Sequence, residues 1–315
     1  MSGLSNFFRI SSGVASRPDP STSARFARPR DIRMLNVRGP TKGRVVIGRC
    51  GRHTIAAEAG HSLLVVGPTQ SGKTTRLAAP AITEWEGPVV AASVKGDLAR
   101  MTMEARSKTG EVLLYDPLRT TGLPTAAWSP LPACSTWTGA RRTSADLAAV
   151  ARESAANMND GDFWYSMAAK LLAPLFLAAA TNGLSMTDVV QWVDEQNLVL
   201  PLELLNSTHE TQAVQALRAT LGRDERQRSA VFTTAETVIE AFADPDVAAS
   251  ESPAVDPWWQ FQTANTNANA QTTVQRQGTI HATRLLDGNN TLYLCAPTYD
   301  QRRLRALFAT LVTQV

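Results

Sequence analysis

From about residue 62 onward the apolar positions fall into short runs separated by stretches of helical period. Leu63–Val66, Val89–Ser93 and Glu111–Tyr115 read as strands, with helices at Thr74–Trp85 and Leu98–Lys108 between them. This β-α-β-α-β order predicts a parallel sheet covered by helices, with ligands at the carboxyl ends of the strands. Ahead of it, Gly43–Ile47 and Thr54–Ala57 make a candidate hairpin in which Gly48 and Gly51 supply turn chemistry. Between about residues 140 and 245 the strand signal stops, and helices are predicted at Arg142–Met158, Phe163–Ala180, Met186–Glu195, Glu210–Leu221 and Glu225–Ala243. Thr181-Asn182-Gly183 closes one of them and Ser185 caps the next. Phe163–Ala180 is apolar nearly all round, so it belongs at the centre of a helical block. Its Phe163, Trp164 and Tyr165 suit core packing, with stacking on nucleic-acid bases as the alternative.

Residues 250–278 are rich in Asn, Gln, Thr and Ala around Trp258, Trp259 and Phe261, and read as a long loop or disordered excursion. A strand at Thr291–Cys295 follows. The amphipathic helix starting near Asp300 then buries Leu304, Leu307, Phe308, Leu311, Val312 and Val315. The pattern divides the chain into a basic arm (1–52), a first part of a nucleotide-binding domain (53–139), an inserted all-α domain (140–249), the polar excursion (250–278) and a return to the first domain (279–315).

Candidate chemistry concentrates at residues 67–74, Gly-Pro-Thr-Gln-Ser-Gly-Lys-Thr, a complete P-loop between a predicted strand and a predicted helix. Gly67 and Gly72 permit backbone angles that let successive N–H groups curl around a phosphate. Pro68, Thr69, Gln70 and Ser71 complete the loop, and Thr75 extends the helix start that turns its positive end toward an anion. Lys73, the candidate catalytic residue, would reach the β and γ phosphates as a point charge. The Thr74 hydroxyl would hold Mg²⁺. ATP and Mg²⁺ are the cofactors this pattern predicts. Hydrolysis needs more than the cradle: an acid for metal and water, and usually an arginine from a neighbour.

Composition adds bounds. At 315 residues, with 43% hydrophobic and 19% charged, the chain suits one large α/β domain carrying an insertion, or two domains. Cys50, Cys134 and Cys295 lie far apart, without the spacing of a zinc site or a disulfide framework, which fits a reducing compartment. Residues 1–52 carry eleven Lys and Arg against Asp19 and Asp31, so the net +3 hides a basic arm and an acidic remainder. Such an arm suits nucleic-acid phosphates, an anionic membrane surface, or simply a solvated tail. Met167–Ala180 is the nearest approach to a membrane span, but it is short and contains Lys170 and Pro174.

Several motifs together, HSLLVVGPTQSGKTT, PVVAASVKGDL, EVLLYDP, WSPL, DGDFWYSMAAKLLAPL and TLYLCAPTYDQRRLRALF, make the chain from about Ala24 onward resemble the TraG-type coupling proteins of type IV secretion and conjugation systems. The likeness is closest to actinobacterial members, and the family is similar to the FtsK/HerA class of DNA pumps. The resemblance implies an α/β fold, a RecA-like P-loop NTPase parallel sheet with an inserted all-α domain. It implies a membrane-anchored, hexameric ATPase on the cytoplasmic side of the bacterial cell membrane, moving relaxase-bound or double-stranded DNA, or effector proteins, toward a secretion channel. By position, Gly67 to Thr75 would be the nucleotide cradle, and Lys95 and Asp97 would lie at the end of the neighbouring strand. For those two, an ion pair or a helix cap by Asp97 is an equally good local account.

The chain departs from the family pattern at both ends. No transmembrane helix precedes the basic arm, and the Walker B strand expected after the last helix does not appear, so a fragment is the economical expectation. Asp116, after the apolar Val112–Tyr115, is a weak stand-in for the Walker B acid, and loop capping is its default role. Such a chain is expected to bind ATP and hydrolyse it poorly. The competing expectation is a non-catalytic subunit that docks a relaxase or effector through its helices. Arg223, Arg226 and Arg228 form an arginine cluster that suits either a finger for a neighbour's site or a solvated helix face.

Overall fold

The computed structural model describes residue 28 and residues 30–154, 161–252 and 278–315. The cluster Trp258, Trp259 and Phe261, the end of the predicted helix Arg142–Met158 and most of the basic arm lie outside the described residues. The chain divides into two units, Met1–Leu64 and Val65–Val315.

The first unit holds a three-stranded antiparallel sheet in the order β1-β3-β2, made of β1 (Asn36–Val37), β2 (Val46–Cys50) and β3 (His53–Ala56). The predicted hairpin is present but displaced along the chain, because the two glycines have different jobs. Gly51, with φ +59°, opens the two-residue turn between Cys50 and His53, whereas Gly48 sits at an irregularity in the β2–β3 register. Arg44 braces this unit from within. Its guanidinium donates to the carbonyls of Ala57 (2.8 Å), Ala56 (3.1 Å) and Met34 (3.1 Å).

The second unit is built on a parallel sheet in the order β4-β6-β5, from β4 (Val89–Ser93), β5 (Val112–Tyr115) and β6 (Thr291–Cys295). β6 is central and buried at every position, the unbroken apolar reading of a strand covered on both faces. The period of two sorts the side chains. Leu114, Tyr293 and Cys295 join Ala79, Leu98 and Ala99 on one face. Leu113, Tyr115, Leu292 and Leu294 join the large cluster of the later helices on the other.

The first face is covered by α1 (Ala79–Glu84), entered through a π-type turn at Thr74–Ala78, and by α2 (Asp97–Ser107). Between β5 and β6 the chain runs through α3 (Trp137–Ser154), α4 (Gly161–Thr181), α5 (Met186–Asp194), α6 (Val199–Ser207), α7 (Thr211–Leu221), α8 (Glu225–Ile239), α9 (Pro245–Ala249) and α10 (Ala282–Leu285). It ends in α11 (Gln301–Gln314). The helical block shares a single hydrophobic cluster with the sheet: Phe176, Leu177, Val193, Leu217 and Phe232 of the block belong with Leu292 and Leu294.

By length and composition α4 is apolar enough to cross a membrane, but most of it is buried among its neighbours, with Lys170 exposed and Pro174 buried. It ends as predicted: Gly183 takes φ +67° and the Leu184 N–H reaches back to the Ala179 carbonyl. At the start of α5 the Asp188 carboxylate accepts from both the N–H (2.8 Å) and the hydroxyl (2.7 Å) of Ser185.

Three expectations need correction, and one helix lay outside them. Leu63–Val66 is not a strand. The segment is in no ladder, and its exposures of 42, 88, 42 and 86% alternate as an extended chain's would. Extended propensity alone makes no strand without a paired edge. The helix α6 was not foreseen, because Val199–Ser207 has Leu at four positions and a proline in place of a clean polar period. On α11, Val312 is 45% exposed while Thr310 is buried, so the buried stripe is narrower than the apolar pattern suggests. Of the aromatic triplet that opens α4, Tyr165 is in the core, Trp164 packs beside it, and Phe163 is 51% exposed with its ring edge-on to Trp164.

Candidate nucleotide site

The loop Gly67–Lys73 leaves an extended segment and feeds directly into the turn at Thr74–Ala78. Two residues take the left-handed backbone that such a cradle needs, Gln70 at φ 62° and Gly72 at φ 86°. For Gly72 this is the easy choice. For Gln70 it stores a small strain of the kind found at ligand clamps. A Cβ on Gly67 would stand 3.0 Å from the Ser71 hydroxyl, so the loop is closed tightly about that point. The loop is held by Ser71 N–H to the Pro68 carbonyl (3.4 Å) and Arg76 N–H to the Gly72 carbonyl (2.8 Å).

Lys73 folds back over this loop. Its ammonium donates to the carbonyls of Gly67 and Pro68, each at 2.7 Å. The Thr75 hydroxyl donates to the Gly72 carbonyl (3.4 Å), while the Thr74 hydroxyl makes no hydrogen bond among the described residues. All of these side chains are exposed or nearly so, and Pro68 and Thr69 complete an open rim. The residues fit a triphosphate and its metal: a left-handed turn at Gln70 and Gly72, a cation pinned by nothing stronger than two carbonyls, and an uncommitted hydroxyl at the helix start.

The other candidates do not join the loop. Asp116 is fully buried at the end of β5, where its carboxylate accepts from Thr121 N–H (2.6 Å) and the Thr120 hydroxyl (3.2 Å). Its own N–H donates to the Thr125 hydroxyl (2.9 Å). Asp116 is therefore a loop cap, and its stand-in role as a Walker B acid is set aside because both oxygens are committed. Asp97 opens α2 without a capping hydrogen bond, its charge at the favourable end of the helix, and no ion pair joins it to Lys95 among the described residues. In the arginine cluster, Arg223 donates to the Met167 sulfur (3.2 Å) and Arg228 to the Leu221 carbonyl (3.5 Å), so both fasten the α7–α8 turn.

Sequence reasoning missed Glu251. Its carboxylate accepts from Met186 N–H (3.1 Å) and the Ser129 hydroxyl (3.3 Å), and its second oxygen is buried without a partner. Burial pushes this carboxyl up to about 7. The two buried thiols are not nucleophiles of the usual kind: burial pushes Cys134 up to about 12 and Cys295 up to about 11. A cavity of about 440 Å³ beside Trp128, Arg142, Asp146 and His281 contains none of the loop residues.

Comparison with known proteins gives a consistent picture. Residues 30–254 match the family model described as Type IV secretory system Conjugative DNA transfer. Protein VirD4 of Agrobacterium fabrum is 32% identical over 136 residues, covering 41% of this chain and 20% of that protein. Protein VirD4 of Rhizobium rhizogenes is 31% identical over 140 residues, again 41% of this chain and 20% of the relative. The matched part thus spans about a fifth of the length of these relatives.

Proposed function

The chain belongs to the type IV secretory system conjugative DNA transfer family, and from that premise we propose that it is the nucleotide-binding part of a coupling protein serving conjugation or type IV secretion. The loop at Gly67–Thr74 carries the reading: left-handed turns at Gln70 and Gly72 and an ammonium folded into the loop. On this reading the sheet and α1 form a RecA-like P-loop site, and the helices from α3 to α9 form the insertion that meets the transported substrate.

Mg–ATP, when bound, supplies the phosphoanhydride whose cleavage drives transport. Backbone N–H groups from Gly67 to Gly72 bind the phosphates, with Pro68, Thr69 and Ser71 shaping the loop. Lys73 offsets their charge, the Thr74 hydroxyl orients the metal, and Thr75 steadies the helix start. The partners are relaxase-bound or double-stranded DNA and channel proteins, with six copies assembling at the cytoplasmic side of the cell membrane.

Conjugative or effector transfer in cells carrying Lys73→Ala in the complete gene tests this. Transfer falls to background while the protein accumulates normally. Transfer at the unmutated frequency contradicts the reading. If transfer persists but a relaxase or effector is captured without nucleotide, the non-catalytic docking role is the correct one.

A further inference from the structure

The cavity of about 440 Å³ is lined from α3, α10 and the end of α11, and its size falls in the range of about 300–1,000 Å³ that small molecules occupy. Trp128, Pro132 and Ile280 give it apolar walls. Two of its other lining residues carry opposite charge. Arg142 and Asp146 stand four positions apart on α3, the spacing at which such groups close on each other. They do not: among the described residues neither makes a hydrogen bond or an ion pair, and each acts on the other only across a gap. Burial lifts the Asp146 carboxyl above its ordinary value, against the lowering effect of the Arg142 charge. From α11 comes Gln314, which also lines the cavity and whose amide nitrogen is buried without a partner. The neighbouring hydroxyls are already committed, Ser129 to the Glu251 carboxylate (3.3 Å) and Thr313 to the Ala309 carbonyl (2.8 Å).

We propose that this cavity binds a short zwitterionic peptide with apolar side chains, its carboxylate held by Arg142 and Gln314, its ammonium by Asp146, and its side chains against Trp128, Pro132 and Ile280. A simple anion such as phosphate would satisfy Arg142 and Gln314 but meet the Asp146 charge, and a simple cation would meet Arg142. A ligand carrying both charges uses all three groups, and the apolar walls favour one with an apolar body. The cavity shares no residue with the loop at Lys73, so the proposal does not rest on the nucleotide reading.

Calorimetric titration of the full chain with leucyl-phenylalanine tests it. Saturable one-site binding is expected, with the N-acetylated and the C-amidated dipeptides each bound about tenfold more weakly and inorganic phosphate giving no heat. Arg142→Gln and Asp146→Asn each lower the affinity for the free dipeptide by about tenfold, with the melting temperature unchanged because neither side chain has a partner to lose. The pairing is read from the cross terms: amidation costs Arg142→Gln nothing further, and acetylation costs Asp146→Asn nothing further. No saturable heat from the dipeptide, equal affinity for the capped peptides, or phosphate binding that Arg142→Gln abolishes each overturns the proposal, the last by making the cavity an anion site.

Discussion

The Arg106 guanidinium donates through Nε to the Thr291 hydroxyl at 2.7 Å, linking the last turn of α2 to the first residue of the central strand. The remaining donors reach the carbonyls of Trp85 (2.6 Å), Gly87 (2.8 Å) and Asn289 (2.7 Å), so one fully buried cation closes the end of α1 and the entries to β4 and β6. Removing it leaves several buried carbonyls without a donor. Arg106→Met is expected to cost about 3 kcal/mol, read from urea unfolding, although the substitution preserves apolar volume. An unchanged midpoint would mean water satisfies those carbonyls.

The same end of the sheet depends on a close backbone approach. A Cβ on Gly110 would overlap the Asn289 carbonyl, and Asn289 and Asn290 in turn accept from Gly87 N–H (2.6 Å) and Glu111 N–H (2.8 Å). Gly110→Ala therefore forces backbone to move and is expected to cost about 2 kcal/mol. Thermal unfolding followed by circular dichroism reads this directly, and a Tm equal to the parent's would contradict the packing.

Glu251 supplies a pH dependence with a definite sign. Burial, opposed by the Met186 and Ser129 hydrogen bonds and reinforced by the nearby Asp188 charge, raises its carboxyl from 4.5 to about 7. Between those values the folded chain keeps a proton that the unfolded chain has lost, so this group's contribution to stability falls as pH rises through that window. Glu251→Gln should remove that loss: its Tm relative to the parent rises from about pH 5 to about pH 8. A constant difference across the series would place the titration elsewhere.

Asp116 separates a structural acid from a catalytic one. Asp116→Ala removes both bonds that hold the turn at Thr120–Thr121 and is expected to cost about 2 kcal/mol, seen as a lower denaturation midpoint. At a temperature where the variant is still folded, its affinity for Mg–ATP should equal the parent's. A selective loss of nucleotide affinity would return Asp116 to the site.

The sequence exposed local information well and partner information poorly. The octet at Gly67–Thr74 stands out in the sequence because its spacing lies within one loop, and that loop takes left-handed turns at Gln70 and Gly72. β6 was legible because a strand buried on both faces is apolar throughout. The segment Leu63–Val66 misled because its pattern is that of a strand, while pairing depends on an edge elsewhere in the chain. Arg106 reads as one more surface charge near a helix end, yet Leu98, Thr102 and Arg106 share the spacing of one buried helix face, a signal that was available. Asn289 and Asn290 carried no such signal, since their partners lie about two hundred positions away in sequence.

The central claim is that Gly67–Thr74 binds a nucleoside triphosphate with its metal. Calorimetric titration of Mg–ATP into the parent chain, Lys73→Ala and Thr74→Ala measures this most directly. The structure predicts saturable one-site binding by the parent, loss of at least about tenfold in affinity for Lys73→Ala, and a loss for Thr74→Ala that appears with Mg²⁺ present and vanishes in chelator. Indistinguishable isotherms for the three chains, or no heat for the parent, would contradict the assignment.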